Sequence, residues 1–274
     1  MKMNENLNTT LFIRFLKIRP NTIIQNLTTI MGVVVLLILL GNSRALAQTA
    51  PPFNNNFLMD NKTYLFLIVD RLEYTSIKGP NPLVWDAQGW IGKDYHKFWF
   101  KAEGEAMTVE KEGEMEFQGL YSRAIGPYFD AQAGIRYDIA YDRTGNRSRG
   151  FAVFGLQGLA PYFFEVEGAL FISDAGDVSA NFEAEYDLLF TQRLIGQPRV
   201  TTRLALQEVE EFGVGSGFNN VKLGFRLRYE IRREFAPYVG ISWNRKLGET
   251  ADLTRLDGGE ASVFGLVGGV RMWF

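Results

Sequence analysis

The sequence contains no cysteine and a single histidine, His96. The first absence excludes disulfides, thiolate metal centres and thiol nucleophiles, and it suits an exported protein without requiring one. The second leaves too little to assemble a histidine metal cluster or a Ser–His triad. An excess of one charge is missing too. Lys and Arg number 29 against 31 Asp and Glu, a formal net charge of −2, so there is no basic footprint for nucleic acid. Long apolar runs are equally scarce. The continuous run Val33–Leu40 would cover only about 12 Å as a helix, against about 30 Å of hydrocarbon. No other stretch is long and apolar enough for a transmembrane helix. What is abundant is glycine, at 28 residues, and aromatic side chains, at 14%. That mixture fits a soluble β-sandwich and a membrane β-barrel equally well.

The first fifty residues read as an address. Lys2, Arg14, Lys17 and Arg19 precede the apolar run, and Ala45-Leu46-Ala47 follows it as a small-x-small cleavage site. The pattern predicts a secretory signal peptide over 1–47, cleaved between Ala47 and Gln48. An uncleaved anchor is the alternative, and the run is too short for it. Residues 48–62, opening QTAPPFNNNFLMD, are polar and without periodicity. They are expected to form a flexible periplasmic lead-in.

From there to the end the chain alternates with period two. Phe129, Ala131, Ala133, Ile135, Tyr137, Ile139 and Tyr141 share one face, with Asp130, Gln132, Gly134, Arg136 and Asp138 on the other. Val221, Leu223, Phe225, Leu227 and Tyr229 alternate with Lys222, Arg226, Arg228 and Glu230. Such segments run to about ten residues, enough to cross a bilayer at a tilt. Twelve are found, near 64–77, 83–91, 97–107, 113–122, 128–141, 150–159, 162–173, 178–190, 199–210, 218–230, 236–246 and 261–274; the first, second and sixth alternate poorly. Tight turns such as Ile125-Gly126-Pro127 alternate with polar or longer links such as 248–261, the asymmetry of outer-membrane barrels. The expected fold is therefore all-β, a single outer-membrane antiparallel β-barrel of about twelve strands over 63–274, lying among outer-membrane lipid. A soluble lipocalin-like barrel would show the same alternation; strand length, export signal, loop asymmetry and the last strand decide between them. That last strand sets Phe264, Leu266, Gly268, Val270, Met272 and Phe274 on one face, and Phe129, Tyr162, Phe190 and Tyr229 are expected to join a periplasmic aromatic girdle. Deleting Phe274 is expected to lower the yield of folded barrel more than placing a charge at Asn146. Equal yields would count against this topology.

If the apolar face meets lipid, the polar face lines a lumen. The third, fourth, seventh and eighth segments bring Lys101, Glu103, Glu105, Glu114, Glu116, Glu165, Glu167, Glu183, Glu185 and Asp187. The ninth, tenth and twelfth bring Arg203, Lys222, Arg226, Arg228 and Arg271. These charges form either a salt-bridge lattice that plugs the barrel or a hydrated acidic wall that attracts cations. Chemical motifs are weak. Gly213–Gly217 joins two strands with no helix after it, so it is no phosphate cradle. Asp174-Ala175-Gly176-Asp177 has too few oxygen ligands for calcium. His96 falls at a periplasmic turn with no serine nearby, which argues against a lipase-like site. No enzyme is expected.

Several stretches are similar to the copper resistance protein B family. They include Asp70-Arg-Leu-Glu-Tyr74, Trp85-Asp-Ala-Gln-Gly-Trp-Ile-Gly-Lys-Asp-Tyr-His-Lys97, Gly155-Leu-Gln-Gly-Leu-Ala-Pro-Tyr162 and the run Gly224-Phe-Arg-Leu-Arg-Tyr-Glu-Ile-Arg-Arg-Glu-Phe-Ala-Pro-Tyr-Val-Gly240. The resemblance covers about 59–274. It implies an outer-membrane protein that contributes to copper resistance by sequestering copper or handling it outward, beside a periplasmic multicopper oxidase. It also implies a methionine- and histidine-rich leader, of which Met59 alone is left here. Copper is then the expected ligand, weakly held, and no cofactor is required for folding. Copper(I) prefers thioether and imidazole donors, and past residue 47 this sequence offers Met59, Met107, Met115, Met272 and His96. Only Met59 and His96 share the periplasmic side, so they are the candidate metal residues. The alternative is a small outer-membrane channel or structural barrel that has lost copper handling.

Overall fold

Alternating side chains can bury one face only if the strands pair, and a sheet avoids exposed edges only by closing on itself. The computed structural model describes residues 62–77, 81–107, 112–142 and 145–274. The expected signal peptide, nearly all of the lead-in, and Met59 fall outside them. The strands are β1 (Tyr64–Ser76), β2 (Pro82–Gly92), β3 (His96–Met107), β4 (Gly113–Ala124), β5 (Phe129–Tyr141), β6 (Asn146–Ala160), β7 (Phe164–Ser173), β8 (Val178–Glu185), β9 (Leu188–Leu189), β10 (Leu194–Ala205), β11 (Gly217–Tyr229), β12 (Phe235–Lys246) and β13 (Ser262–Trp273). Neighbours pair antiparallel, and β13 returns to β1, with Tyr74 opposite Gly268. The short β9 continues β8 along the same partner, β10. The result is a closed barrel of twelve staves. Among the described residues no helix is long and apolar enough to cross a membrane.

Two local departures from regular pairing have identifiable causes. In β1 the register with both neighbours shifts across Asp70, which has no partner on either side. This β-bulge turns both Asp70 and Arg71 inward and inverts the parity of the strand. Phe66 and Ile68 face the lumen before it, and Arg71, Glu73 and Thr75 after it. The second departure lies at the gap between β8 and β9. Opposite Tyr186 and Asp187, β10 carries Pro198, which has no N–H to give to the ladder. The regular ladder therefore ends at Glu185, with one further bond from the Tyr186 N–H to the Pro198 carbonyl at 3.2 Å, and resumes at Leu188.

At the near end, where β1 starts and β13 finishes, the connections are tight. Two links at the opposite, far end are longer, 206–216 and 247–261. One of these, between β12 and β13, carries the helix α1 (Gly248–Leu256). It docks on the β10–β11 link. There Asn219 Nδ2 and the Gly215 N–H both donate to Thr250 Oγ1, at 2.8 and 2.9 Å. A Cβ on Gly215 would lie 2.4 Å from Glu249 Cβ, so only glycine permits this approach. The outward wall is apolar and exposed along its height, with Ile135, Phe154, Leu170, Val239 and Leu266 on it. Tyr162, Phe190 and Tyr229 are exposed at the near rim, where the sequence placed them.

Candidate functional site

A closed barrel offers its chemistry on its inner wall, and the cross-strand registers fix which side chains meet there. Like charges face each other in several rows. Asp86 lies beside Glu103 and Glu103 beside Glu116, while Glu167 pairs with Glu183 and Glu165 with Glu185. Rows of acids cost free energy unless cations reach them from other strands. Arg199 on β10 does most of this. Its guanidinium lies 3.3 Å from Asp70, 3.9 Å from Asp86, 2.6 Å from Glu183 and 3.2 Å from Glu185. The bulge makes the arrangement possible, because Asp70 also forms an ion pair with Arg271 at 2.8 Å and Arg71 donates to Asp86 at 2.8 Å. Deeper still, Arg226 grips Glu73 with two hydrogen bonds of 2.9 and 2.8 Å, and the Tyr238 hydroxyl donates to Glu73 at 3.1 Å. Arg228 reaches Asp187, freed from the ladder by the Pro198 gap, at 2.7 Å.

The opposite wall is filled differently. Trp99, Leu120, Val153, Ala169 and Phe171 form a buried apolar cluster, with Trp90 and Phe151 packed against it. The register runs Trp99–Leu120–Gly134–Val153–Phe171 across five strands, all inward. Lys101 spans from this cluster to Glu167 at 2.5 Å, and Arg136 lies over Phe151 and Phe171 while pairing with Glu116 at 2.7 Å. Water reaches little of this interior. Glu73 is 1% exposed, Arg228 3% and Lys101 5%. The mid-section of the lumen is packed like a protein core, not lined like an aqueous pore.

The far mouth is partly covered. Between β10 and β11, Phe212 reaches across to β6, where Arg147 and Arg149 lie over its ring at 5.7 and 5.1 Å. Arg147 also donates to the Glu211 carbonyl and pairs with Asp142, and Arg149 pairs with Asp177. Below this cover, Glu103, Glu105 and Glu114 line the β3–β4 wall, and among the described residues no cation is paired with them.

The two candidate metal residues are placed as follows. His96 is the first residue of β3 rather than part of the turn. Its side chain lies on the outward face at the near rim, stacked on Tyr121 with ring centroids 5.9 Å apart. Its Nδ1 is 2.5 Å from the Tyr121 hydroxyl, which leaves Nε2 as the ring nitrogen available to a ligand. Met59 lies outside the described residues. Met107 and Met115 both sit at the far end, but by parity Met107 faces the lumen and Met115 the outer wall. Among the described residues no group of three His, Cys, Asp or Glu side chains is arranged to hold a metal. Sequence reasoning missed Arg199 as the hub, together with Asp70, Arg71, Glu73 and Asp86. Their signal was present in β1 as consecutive charges that break the alternation.

Known proteins resemble this chain along the barrel. The family model described as copper resistance protein B precursor matches residues 63–274. Copper resistance protein B of Escherichia coli is 40% identical over 215 residues, 78% of this chain and 71% of that protein. The copper resistance protein B homolog of Pseudomonas syringae pv. tomato matches to the same extent. Among solved structures, a KdgM porin covers 77% of this chain and 99% of its own at 9% identity, with a TM-score of 0.46. With the family model spanning the whole barrel and two relatives at 40% identity, the chain belongs to the copper resistance protein B family.

Proposed function

We propose that this protein is an outer-membrane barrel that contributes to copper resistance by holding or handing on copper at its surface, without catalysis. In this reading residues 1–47 are an export signal, 48–62 a periplasmic lead-in and 63–274 the transmembrane barrel. The observation that carries the reading is the packed lumen. A mid-section filled by paired charges on one wall and by Trp99, Leu120, Val153 and Phe171 on the other leaves no wide path for hydrated ions. Copper tolerance then works by retention at a rim, not by free diffusion through a pore. His96 at the near rim and Met59, in the lead-in segment that precedes β1 in the sequence, are the residues proposed to hold the metal, within reach of a periplasmic multicopper oxidase.

The test is a deletion strain grown on rising copper. Loss of tolerance, restored by the wild-type gene and less well by Met59→Ala with His96→Ala, is the expected result. Unchanged growth of the deletion strain would reject the proposal. The same strain tests location: the barrel is expected in the outer-membrane fraction, with gel mobility that changes on boiling.

A second reading, a narrow cation channel, draws support from Glu103, Glu105 and Glu114, with which no cation is paired among the described residues. Planar-bilayer recording separates the two. The packed lumen predicts no conductance above the bare bilayer, and steady cation-selective current would favour the channel.

A further inference from the structure

The outward face of β11, β12 and β13 changes chemistry with height. Along β12 the outward residues run Val239, Ile241, Trp243, Arg245 from the near end to the far end. The lower part holds an apolar groove of about 440 Å³ among Phe225, Leu227, Val239, Ile241 and Leu266. Gly268, in register with Val239, contributes no side chain to fill it. Above the groove, the Trp243 Nε1–H donates to Ser262 Oγ at 3.0 Å, so its polar edge points towards the far end. Higher again, a cleft of about 520 Å³ opens between α1 and the far ends of β12 and β13, lined by Arg245, Lys246, Arg255, Asp252 and Ser262.

Arg245 and Arg255 share that cleft with one carboxylate, Asp252; Lys246 borders it, but by strand parity its side chain belongs to the inner face with Tyr238 and Ser242. Arg255 pairs with Asp252 at 2.6 Å. Among the described residues no carboxylate pairs with Arg245 or Lys246. On β6 at the far mouth the two bases are paired internally: Arg147 with Asp142 and Arg149 with Asp177. The order apolar groove, tryptophan, basic cleft is the profile of one membrane leaflet, from hydrocarbon through the interfacial belt to the headgroups.

We propose that this face seats an acidic, phosphate-bearing lipid of the far-end leaflet. An acyl chain would lie in the groove and the phosphate against Arg245 and Arg255, where guanidinium forks match phosphate oxygens. A soluble anion would use the cleft but gain nothing from the groove directly beneath it, which is why a lipid is the better fit. The inference rests on the proposed membrane location, and the experiment reports the two separately.

Full-length protein is reconstituted in phosphatidylcholine vesicles with and without lipid A, extracted in mild detergent and examined by native mass spectrometry. Gel mobility before and after boiling is read in the same samples. Folded wild-type protein is expected to retain lipid A. Arg245→Gln with Arg255→Gln, still folded by gel mobility, is expected to retain it at least about tenfold less, the weight of one charge-assisted hydrogen bond. Val239→Trp, which fills the groove and leaves the charges, is expected to reduce retention as well. Arg232→Gln at the near end is the control and is expected to have no effect. Equal retention in the Arg245/Arg255 variant, an equal loss in the control, or displacement of the lipid by inorganic phosphate alone would each overturn the proposal. Absence of the boiling-dependent mobility in wild-type protein would instead reject the barrel in the membrane and leave the lipid site without its premise.

Discussion

Arg199→Met is expected to lower the heat-denaturation midpoint of the folded barrel more than the loss of any other single lumen charge. Four carboxylates, Asp70, Asp86, Glu183 and Glu185, lie within 3.9 Å of its guanidinium. Removing one partner of a buried ion pair costs about 3–5 kcal/mol, because the remaining charge is left buried and uncompensated. Here the loss is shared among several acids, of which Asp86 keeps Arg71 and Asp70 keeps Arg271. Glu183 and Glu185 have no other ion-pair partner among the described residues, so most of the cost should arise on β8. The comparison that isolates the effect is the deeper pair. Arg226→Met alone strands Glu73, whereas Arg226→Met with Glu73→Met removes both charges and replaces them with apolar volume. The double variant is expected to be closer to wild type than the single one. The measurement is the temperature at which each variant loses its compact form on an unboiled gel. A midpoint unmoved by Arg199→Met would mean that these carboxylates are hydrated, and the packed lumen would have to be given up.

The residues that made this lattice hard to read in the sequence are the same ones that build it. Period two exposes a strand when one face is apolar and the other polar, as in β5 and β11. Both gave their faces correctly, from Phe129 to Tyr141 and from Val221 to Tyr229. It fails where both faces are apolar. β2 carries Val84 and Trp90 inward, and β6 carries Phe151 and Val153 inward, so the apolar plug in the lumen cancels the alternation that would have marked those strands. In β1 the bulge at Asp70 inverts parity halfway, which merges an inward Ile68 and an inward Arg71 into one irregular segment. The ninth predicted segment was displaced for a related reason. β10 runs Leu194–Ala205 rather than 199–210, and its first outward positions include Gly196 and Pro198, which give no apolar signal. The space a Cβ of Gly196 would take is filled by the rings of Phe190 and Phe225, 2.7 and 3.0 Å from it. Charge segregation was legible only in part. Acids do gather on β3, β4, β7 and β8, but Arg136, Arg149 and Lys101 stand among them. The lattice closes locally as well as across the lumen.

Copper binding is expected to be shallow, and to vanish when Met59 and His96 are both removed. Tight Cu(I) coordination needs two or three soft donors converging within bonding distance. Met107 and Met115 lie on opposite faces of the far-end wall, and Met272 pairs with Val69 and Phe235 at the near end of β13. None of these is placed beside His96. That histidine offers Nε2, because Nδ1 is engaged with the Tyr121 hydroxyl at 2.5 Å. A hydrogen bond on one ring nitrogen orients the ring for a metal on the other, so the Tyr121 contact is compatible with a ligand role. With Met59 as the second soft donor, the purified protein is expected to bind about one Cu(I) ion and to yield it to chelators, as an open two-donor site should. Met59→Ala with His96→Ala is expected to abolish that binding, while Tyr121→Phe weakens it by freeing the ring to turn. Competition against a colorimetric Cu(I) chelator measures all three. Several tightly held ions per chain, or binding undiminished in the double variant, would contradict the rim site. Either outcome would move the metal to the carboxylate wall of Glu103, Glu105, Glu183 and Glu185, whose hard oxygens suit Cu(II) better than Cu(I). Repeating the titration under oxidising conditions would then decide between the two oxidation states.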